Sequence, residues 1–258
     1  MKRIKKLTIN FTNFNMSYII TIRIKESILM ASDTRLNYHY DKEINGEKFQ
    51  VIIAVADCIR KTFFIDKAKI GIQFLGIGYF PDDDGEEYPL SHFVRKLYDE
   101  KYSENFKKNA QIIFDFFKKI SKEGDTGRYV KGIMAGFSEN NKSYVCIFNT
   151  YNNDFEIKEL NVGQFIDSEN NKTQFPCGRE EAIEEINKRI TRKSKEKFRI
   201  IGGPIEILEI TPEKALFIQE SKNLFEGSKR ELVKCLEINP QKINGYILPQ
   251  PHFEKYRF

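Results

Sequence analysis

The sequence has no tryptophan, three histidines and four cysteines in 258 residues, and these scarcities narrow what it can do. Cys58, Cys146, Cys177 and Cys235 lie far apart, form no C-x-x-C and have no paired histidine. That excludes the usual zinc motifs and a disulfide framework. No two of His39, His92 and His252 stand at ligand spacing, so no metal and no cofactor is expected. The missing tryptophan constrains no chemistry. No run approaches the ~18–20 apolar residues of a membrane span. The basic start leads into LTINFTNFNMSYII, where Thr and Asn interrupt what would be the apolar core of a signal peptide. A soluble chain in a reducing cytoplasm is the expectation, with no membrane contact. Repeats, low-complexity tracts and Pro/Gly/Ser linkers are absent too, which favours a single domain, long enough to bury roughly 70–75% of its unfolded surface.

Charge is plentiful but balanced. Forty-two Lys and Arg face 37 Asp and Glu, a net +5 spread over 31% of the residues, too diffuse for a nucleic-acid footprint. Lys2, Arg3, Lys5 and Lys6 precede the first acid, Glu26. Taking those four charges from the +5 leaves +1, so the basicity belongs to the first sixteen residues.

Periodicity predicts the elements. Ser17 to Arg35 reads as a β-hairpin about Lys25-Glu26-Ser27, with Ile20, Ile22 and Ile24 alternating with Thr21 and Arg23. Asn45-Gly46 suits a two-residue turn into a return strand over Phe49 to Ala56. Short strands follow at Lys61–Asp66 and Ile70–Gly78. After the acidic loop Asp82–Glu87 the period becomes helical: Leu90, Phe93, Val94 and Leu97 share a face, as do Ile112, Ile113, Phe116, Phe117 and Ile120. Strands return at Gly132–Phe137, Ser143–Phe148 and Asp154–Leu160. A helix spans Glu180–Arg192, and Ile205–Ile210 pairs with Ala215–Ile218 about Thr211-Pro212-Glu213-Lys214. This order is α+β, with two packed sheets and helices outside.

Met30-Ala31-Ser32-Asp33-Thr34-Arg35 resembles the apolar-Ala-x-Asp-[ST]-Arg element of proteasome β subunits, members of the N-terminal nucleophile hydrolases. In that family the aspartate lies sixteen residues after the nucleophile that opens the mature chain. Counting back sixteen from Asp33 reaches Ser17. Lys61-Thr62-Phe63-Phe64-Ile65-Asp66 resembles the family's lysine-bearing segment, with Arg60 competing one position away. Ile70-Gly71 and Leu75-Gly76-Ile77-Gly78 resemble the strand whose backbone N–H forms the oxyanion hole. Gly132–Phe137 is similar to the central apolar-x-Ala-Gly strand, and Ile201-Gly202-Gly203-Pro204-Ile205-Glu206-Ile207 to a late Gly-Gly turn. The likeness covers about Ser17 to Ile218. Departures from the pattern are a dozen extra residues between Arg35 and Lys61, Phe198 and Ile201 where Asp and Ser of Asp-x-x-Ser-Gly-Gly would stand, and Gly163-Gln164 in place of Gly-Ser.

The resemblance implies a four-layer αββα sandwich of two antiparallel sheets flanked by helices, over residues 17–258, with residues 1–16 a propeptide or upstream extension. It implies Ser17 as nucleophile, with its own α-amine as base once exposed. Lys61 would be the neighbouring cation, Asp33 the group that fixes it, and Gly76 an oxyanion donor worth about 3 kcal/mol. A peptide or protein substrate, a homo-oligomeric ring and an ATP-dependent unfoldase are the implied partners. Removal of residues 1–16, or translation from Met16 with loss of that methionine, exposes Ser17. The contrasting expectation is a catalytically inactive scaffold or interaction subunit. Two other features carry less: the acidic loop lacks the spacing and terminal Glu of an EF-hand, and Cys177 has no nearby histidine to activate it.

Overall fold

The computed structural model describes residues 17–255 except 45–46, 77–78, 122–128, 169–174, 197–200, 223 and 239–251. The expectations for residues 1–16, the Asn45-Gly46 turn, Ile77, Gly78 and Phe198 therefore fall outside it. In chain order the elements are β1 (Ile19–Arg23), β2 (Ile28–Ser32), β3 (Arg35–Ile44), β4 (Glu47–Asp57), β5 (Thr62–Ile65), β6 (Ile70–Leu75), β7 (Tyr79–Pro81), β8 (Glu87–Pro89), α1 (Leu90–Lys96) and α2 (Phe106–Ile120). They continue with β9 (Lys131–Phe137), β10 (Ser143–Asn149), β11 (Asp154–Glu159), β12 (Phe165–Asp167), α3 (Arg179–Glu196), β13 (Glu206–Ile210), β14 (Ala215–Gln219), α4 (Lys229–Ile238) and β15 (His252–Lys255).

Two five-stranded antiparallel sheets dominate. One runs β12-β1-β2-β13-β14 and the other β11-β10-β9-β6-β5. Their facing sides meet through Ile19, Ile28, Met30, Leu208 and Ile210 from the first and Leu75, Ile133, Ala135, Phe137 and Val145 from the second. Strand alternation sends Ile20, Ile22, Leu29, Ala31 and Ile207 to the opposite side of the first sheet, where they pack with Ala182, Ile186 and Ile190 of α3. Ile70, Ile72, Phe74, Met134, Cys146 and Phe148 do the same for the second sheet, against Phe93 of α1 and Phe106, Ile113 and Phe117 of α2. The chain is thus α+β, with helices on the outer sides of two packed sheets.

Local chemistry explains the elements. The β1–β2 hairpin closes where the Ile24 N–H donates to the Ser27 carbonyl at 3.0 Å. Helix α2 starts at Asn105, whose side chain accepts the Lys108 N–H at 3.2 Å and satisfies one orphan donor of the first turn. The helix is rotated from the sequence expectation. Phe106, Asn109, Ala110 and Phe114 join Ile113 and Phe117 in the buried set, while Ile112 and Phe116 are half-buried. Asn109 reaches that position because its amide donates to the carbonyls of Ala68 and Ser103. The acidic loop is the tip of the β7–β8 hairpin. There Asp82 binds Lys96 at 2.7 Å and His92 at 2.8 Å. Strands β3 and β4 pair from Arg35↔Asp57 to Ile44↔Glu47, and β15 adds to β4, making a separate three-stranded sheet. Among the described residues no helix is long and apolar enough to cross a membrane.

Candidate active site

A polar row crosses the otherwise apolar space between the two sheets. Thr21 of β1 donates to the Gln73 side-chain carbonyl of β6 at 2.9 Å. The Gln73 amide donates to the Ala31 carbonyl at 2.8 Å and to the Thr62 hydroxyl at 3.1 Å. Thr62 of β5 in turn donates to Ser32 of β2 at 2.8 Å. All four side chains are buried, and their mutual satisfaction is what allows polar groups there at small net cost.

Immediately beyond this row lie Ser17, Asp33 and Lys61, exposed by 3%, 0% and 6%. Asp33 leaves the end of β2 and Lys61 precedes β5, so the two come from different sheets. Lys61 donates from Nζ to Asp33 Oδ1 at 2.9 Å. The same oxygen accepts the Tyr18 N–H at 3.0 Å, which ties the peptide following Ser17 to the ion pair. Oδ2 accepts the N–H groups of Gly202 and Arg35 at 3.2 and 3.3 Å. A fully buried carboxylate thus has four donors, one of them cationic, as its burial requires. Among the described residues no hydrogen bond joins the Ser17 hydroxyl to Lys61. Tyr18 is held at its other end by its phenol, which donates to Asp167 Oδ2 at 3.0 Å.

The competition between Arg60 and Lys61 is resolved by alternation. Successive residues of extended chain point to opposite sides, and the Phe74 N–H to Lys61 carbonyl bond at 3.0 Å keeps this stretch in the β5–β6 ladder. Lys61 therefore meets Asp33, while Arg60 pairs with Glu206 at 3.2 Å and Glu220 at 2.7 Å and lies over the Phe217 ring. Glu206 is fully buried. Burial pushes its carboxyl up to about 7 against the opposing pull of Arg60 and the Ser221 N–H. Its Oε2, like Arg60 Nε, has no hydrogen-bond partner among the described residues.

Gly76 directly follows β6 at φ +100°, a backbone state that favours glycine. No hydrogen bond among the described residues links it to Ser17, Asp33 or Lys61. Ile201 packs in the cluster against α3. Gly163 and Gln164 both bond to the backbone of Arg23, at the far end of β1 from Ser17. The segment that flanks the start of β1 is instead Asp167-Ser168, whose Ser168 N–H donates to the Ile19 carbonyl at 3.2 Å.

Sequence reasoning missed Asp167, Glu206 and the polar row. For Glu206 a signal existed, since it shares strand parity with Leu208 and Ile210, which are buried between the sheets. Asp167 gave none, standing in a three-residue strand. Cys58 and Cys146 are buried and Cys177 is half-buried. Among the described residues no group of three or more His, Cys, Asp or Glu is placed to hold a metal ion. The chain matches no family model and no curated protein.

Proposed function

We propose that the chain is an N-terminal nucleophile hydrolase of proteasome-like type, cleaving peptide or amide bonds with Ser17. The observation that carries the reading is the double engagement of Asp33 Oδ1, which accepts both the Tyr18 N–H and the Lys61 ammonium. One carboxylate oxygen thereby couples the residue after the nucleophile to a buried cation. With Ser17 at a free amino-terminus, its α-amine takes the hydroxyl proton directly or through a water. The Lys61 charge favours the neutral amine and the developing alkoxide, and Asp33 holds that charge in place. The alkoxide attacks the scissile carbonyl, the Gly76 region supplies the N–H for the oxyanion, and the C–N bond breaks as the proton passes from the ammonium to the leaving amine; water, deprotonated by the freed amine, then cleaves the Ser17 ester and restores the hydroxyl. While Met16 remains attached, the Ser17 nitrogen is an amide and cannot serve as base. Self-cleavage at Met16–Ser17, or loss of an initiating Met16, creates the active form. A homo-oligomeric ring in the cytoplasm, served by an ATP-dependent unfoldase, fits a peptidase of this kind.

Intact mass of the native protein and labelling by a peptide epoxyketone test the reading together. A chain beginning at Ser17 that is modified once, with modification abolished in Ser17→Ala, is the expected result. A Ser17-starting chain that resists labelling overturns it. The second reading, a silent scaffold subunit, draws on the 3% exposure of Ser17, and a native chain that retains residues 1–16 favours it.

A further inference from the structure

We propose that Asp57 is a positioning residue for this site, clamping the Gly202–Gly203 turn against Asp33 through Arg35. The inference rests on the reading of Ser17, Asp33 and Lys61 given above. Asp57 lies between Arg35 and Lys61, a stretch longer than the resemblance implies. It closes β4 directly opposite Arg35, the first residue of β3. The two side chains form a two-pronged ion pair, Nε to Oδ1 at 2.6 Å and Nη2 to Oδ2 at 2.9 Å, with only 10% and 8% of their side chains exposed. That fork geometry fixes the plane of the guanidinium as well as its charge.

The plane matters because the glycine turn is moulded to it. A Cβ on Gly202 would lie 2.3 Å from Arg35 Cζ. Gly203, at φ +78°, would place a Cβ 2.6 Å from both Asp57 Cβ and Thr34 Oγ1. The turn thus rests on the ion pair with no side chain between. Thr34 secures it as well, donating its N–H to the Gly202 carbonyl and its hydroxyl to the Pro204 carbonyl, both at 3.2 Å. The Thr34 carbonyl accepts the Ile59 N–H at 3.0 Å, which anchors the exit of the hairpin. Held by the ion pair and by Thr34, Gly202 aims its N–H at Asp33 Oδ2, and Arg35 adds its own N–H to the same oxygen. Two of the four donors that orient the Lys61 partner therefore depend on the Arg35–Asp57 pair. Without the carboxylate, the guanidinium loses its plane and the Gly202 N–H its aim.

Amide hydrogen exchange on the full chain and epoxyketone labelling of the Ser17-starting form test this. In Asp57→Asn, exchange at Gly202 accelerates about tenfold while Ile72 in the core of β6 is unaffected, and Asp57→Glu restores protection. The labelling rate falls in parallel in Asp57→Asn and recovers in Asp57→Glu. Unchanged Gly202 exchange, or equal acceleration at Gly202 and Ile72, overturns the clamp; so does a wild-type labelling rate in Asp57→Asn. Should Asp57→Asn fail to fold, the apolar replacement Arg35→Met/Asp57→Leu is read by the same criteria, because removing both charges together avoids a stranded one. A wild-type Ser17-starting chain that is never labelled sinks the hydrolase reading, and Gly202 exchange still decides the clamp.

Discussion

Glu206 should make the fold less stable as pH rises from acid to neutral, and Glu206→Gln should abolish that loss. In the folded chain burial raises its carboxyl from an ordinary 4.5 to about 7. Between those values the folded state keeps a proton that the unfolded chain has released. Proton binding therefore favours folding below pH 4.5, and this contribution is lost as pH climbs through 7. At about 1.4 kcal/mol per unit, the span from 4.5 to 7 corresponds to roughly 3 kcal/mol. Its source is the burial of the carboxylate, whose Oε2 has no hydrogen-bond partner among the described residues, and Arg60 offsets only part of that cost. Glutamine mimics the protonated acid in shape and charge, so the two proteins should match near pH 4.5 and diverge at pH 8. There the variant should be more stable by up to about 3 kcal/mol, or roughly 6–12 °C in Tm for a chain of this size. Urea midpoints of both proteins at pH 4.5, 6 and 8 give the answer, since their difference cancels every other titrating group. A constant difference across that range, or a variant less stable at pH 8, refutes the reasoning.

Lys61→Met should cost about 3–5 kcal/mol by stranding the buried Asp33 carboxylate, and Asp33→Asn/Lys61→Met should recover much of it; denaturant unfolding of the set checks both. Gly71→Ala should be milder than Gly132→Ala. A Cβ on Gly71 meets the movable ends of Met30 and Ile210 at 2.4 and 2.6 Å, an overpacking cost of about 1–3 kcal/mol. A Cβ on Gly132 meets the Gln73 backbone carbonyl at 2.1 Å, so the β6–β9 ladder itself must give. Equal thermal shifts for the two would show that the sheet backbone yields as readily as side chains.

The hairpins and helices with strong periodicity were legible in the sequence. The Lys25-Glu26-Ser27 and Thr211–Lys214 turns lie where the patterns break, and α3 extends the predicted span by a residue or so at the start and four at the end. Short elements were not: β7, β8 and β12 have three residues each, too few to show a period, and they exist because neighbouring strands offer hydrogen bonds. Lys61 meets Asp33 although the stretch between Arg35 and Lys61 departs from the family-like spacing, because strand alternation turns Lys61, not Arg60, toward it. The pairing of Asp57 with Arg35 was invisible, since it depends on the register of β3 with β4. The ionisation of Glu206 was not legible either, since its burial depends on the second sheet covering that face of β13.

The row from Thr21 through Gln73 and Thr62 to Ser32 has a mechanical meaning. Apolar layers in contact resist separation but only weakly resist sliding, since one greasy neighbour replaces another. Three directional bonds crossing the same gap, linked within one sheet by Gln73 to Thr62, act as a shear pin, because a shift of one sheet along the other strands the buried donors and acceptors at once. Asp33 and Lys61 ride on opposite sides of that gap. Their 2.9 Å contact is thereby kept in alignment by side chains that bond to neither of theirs.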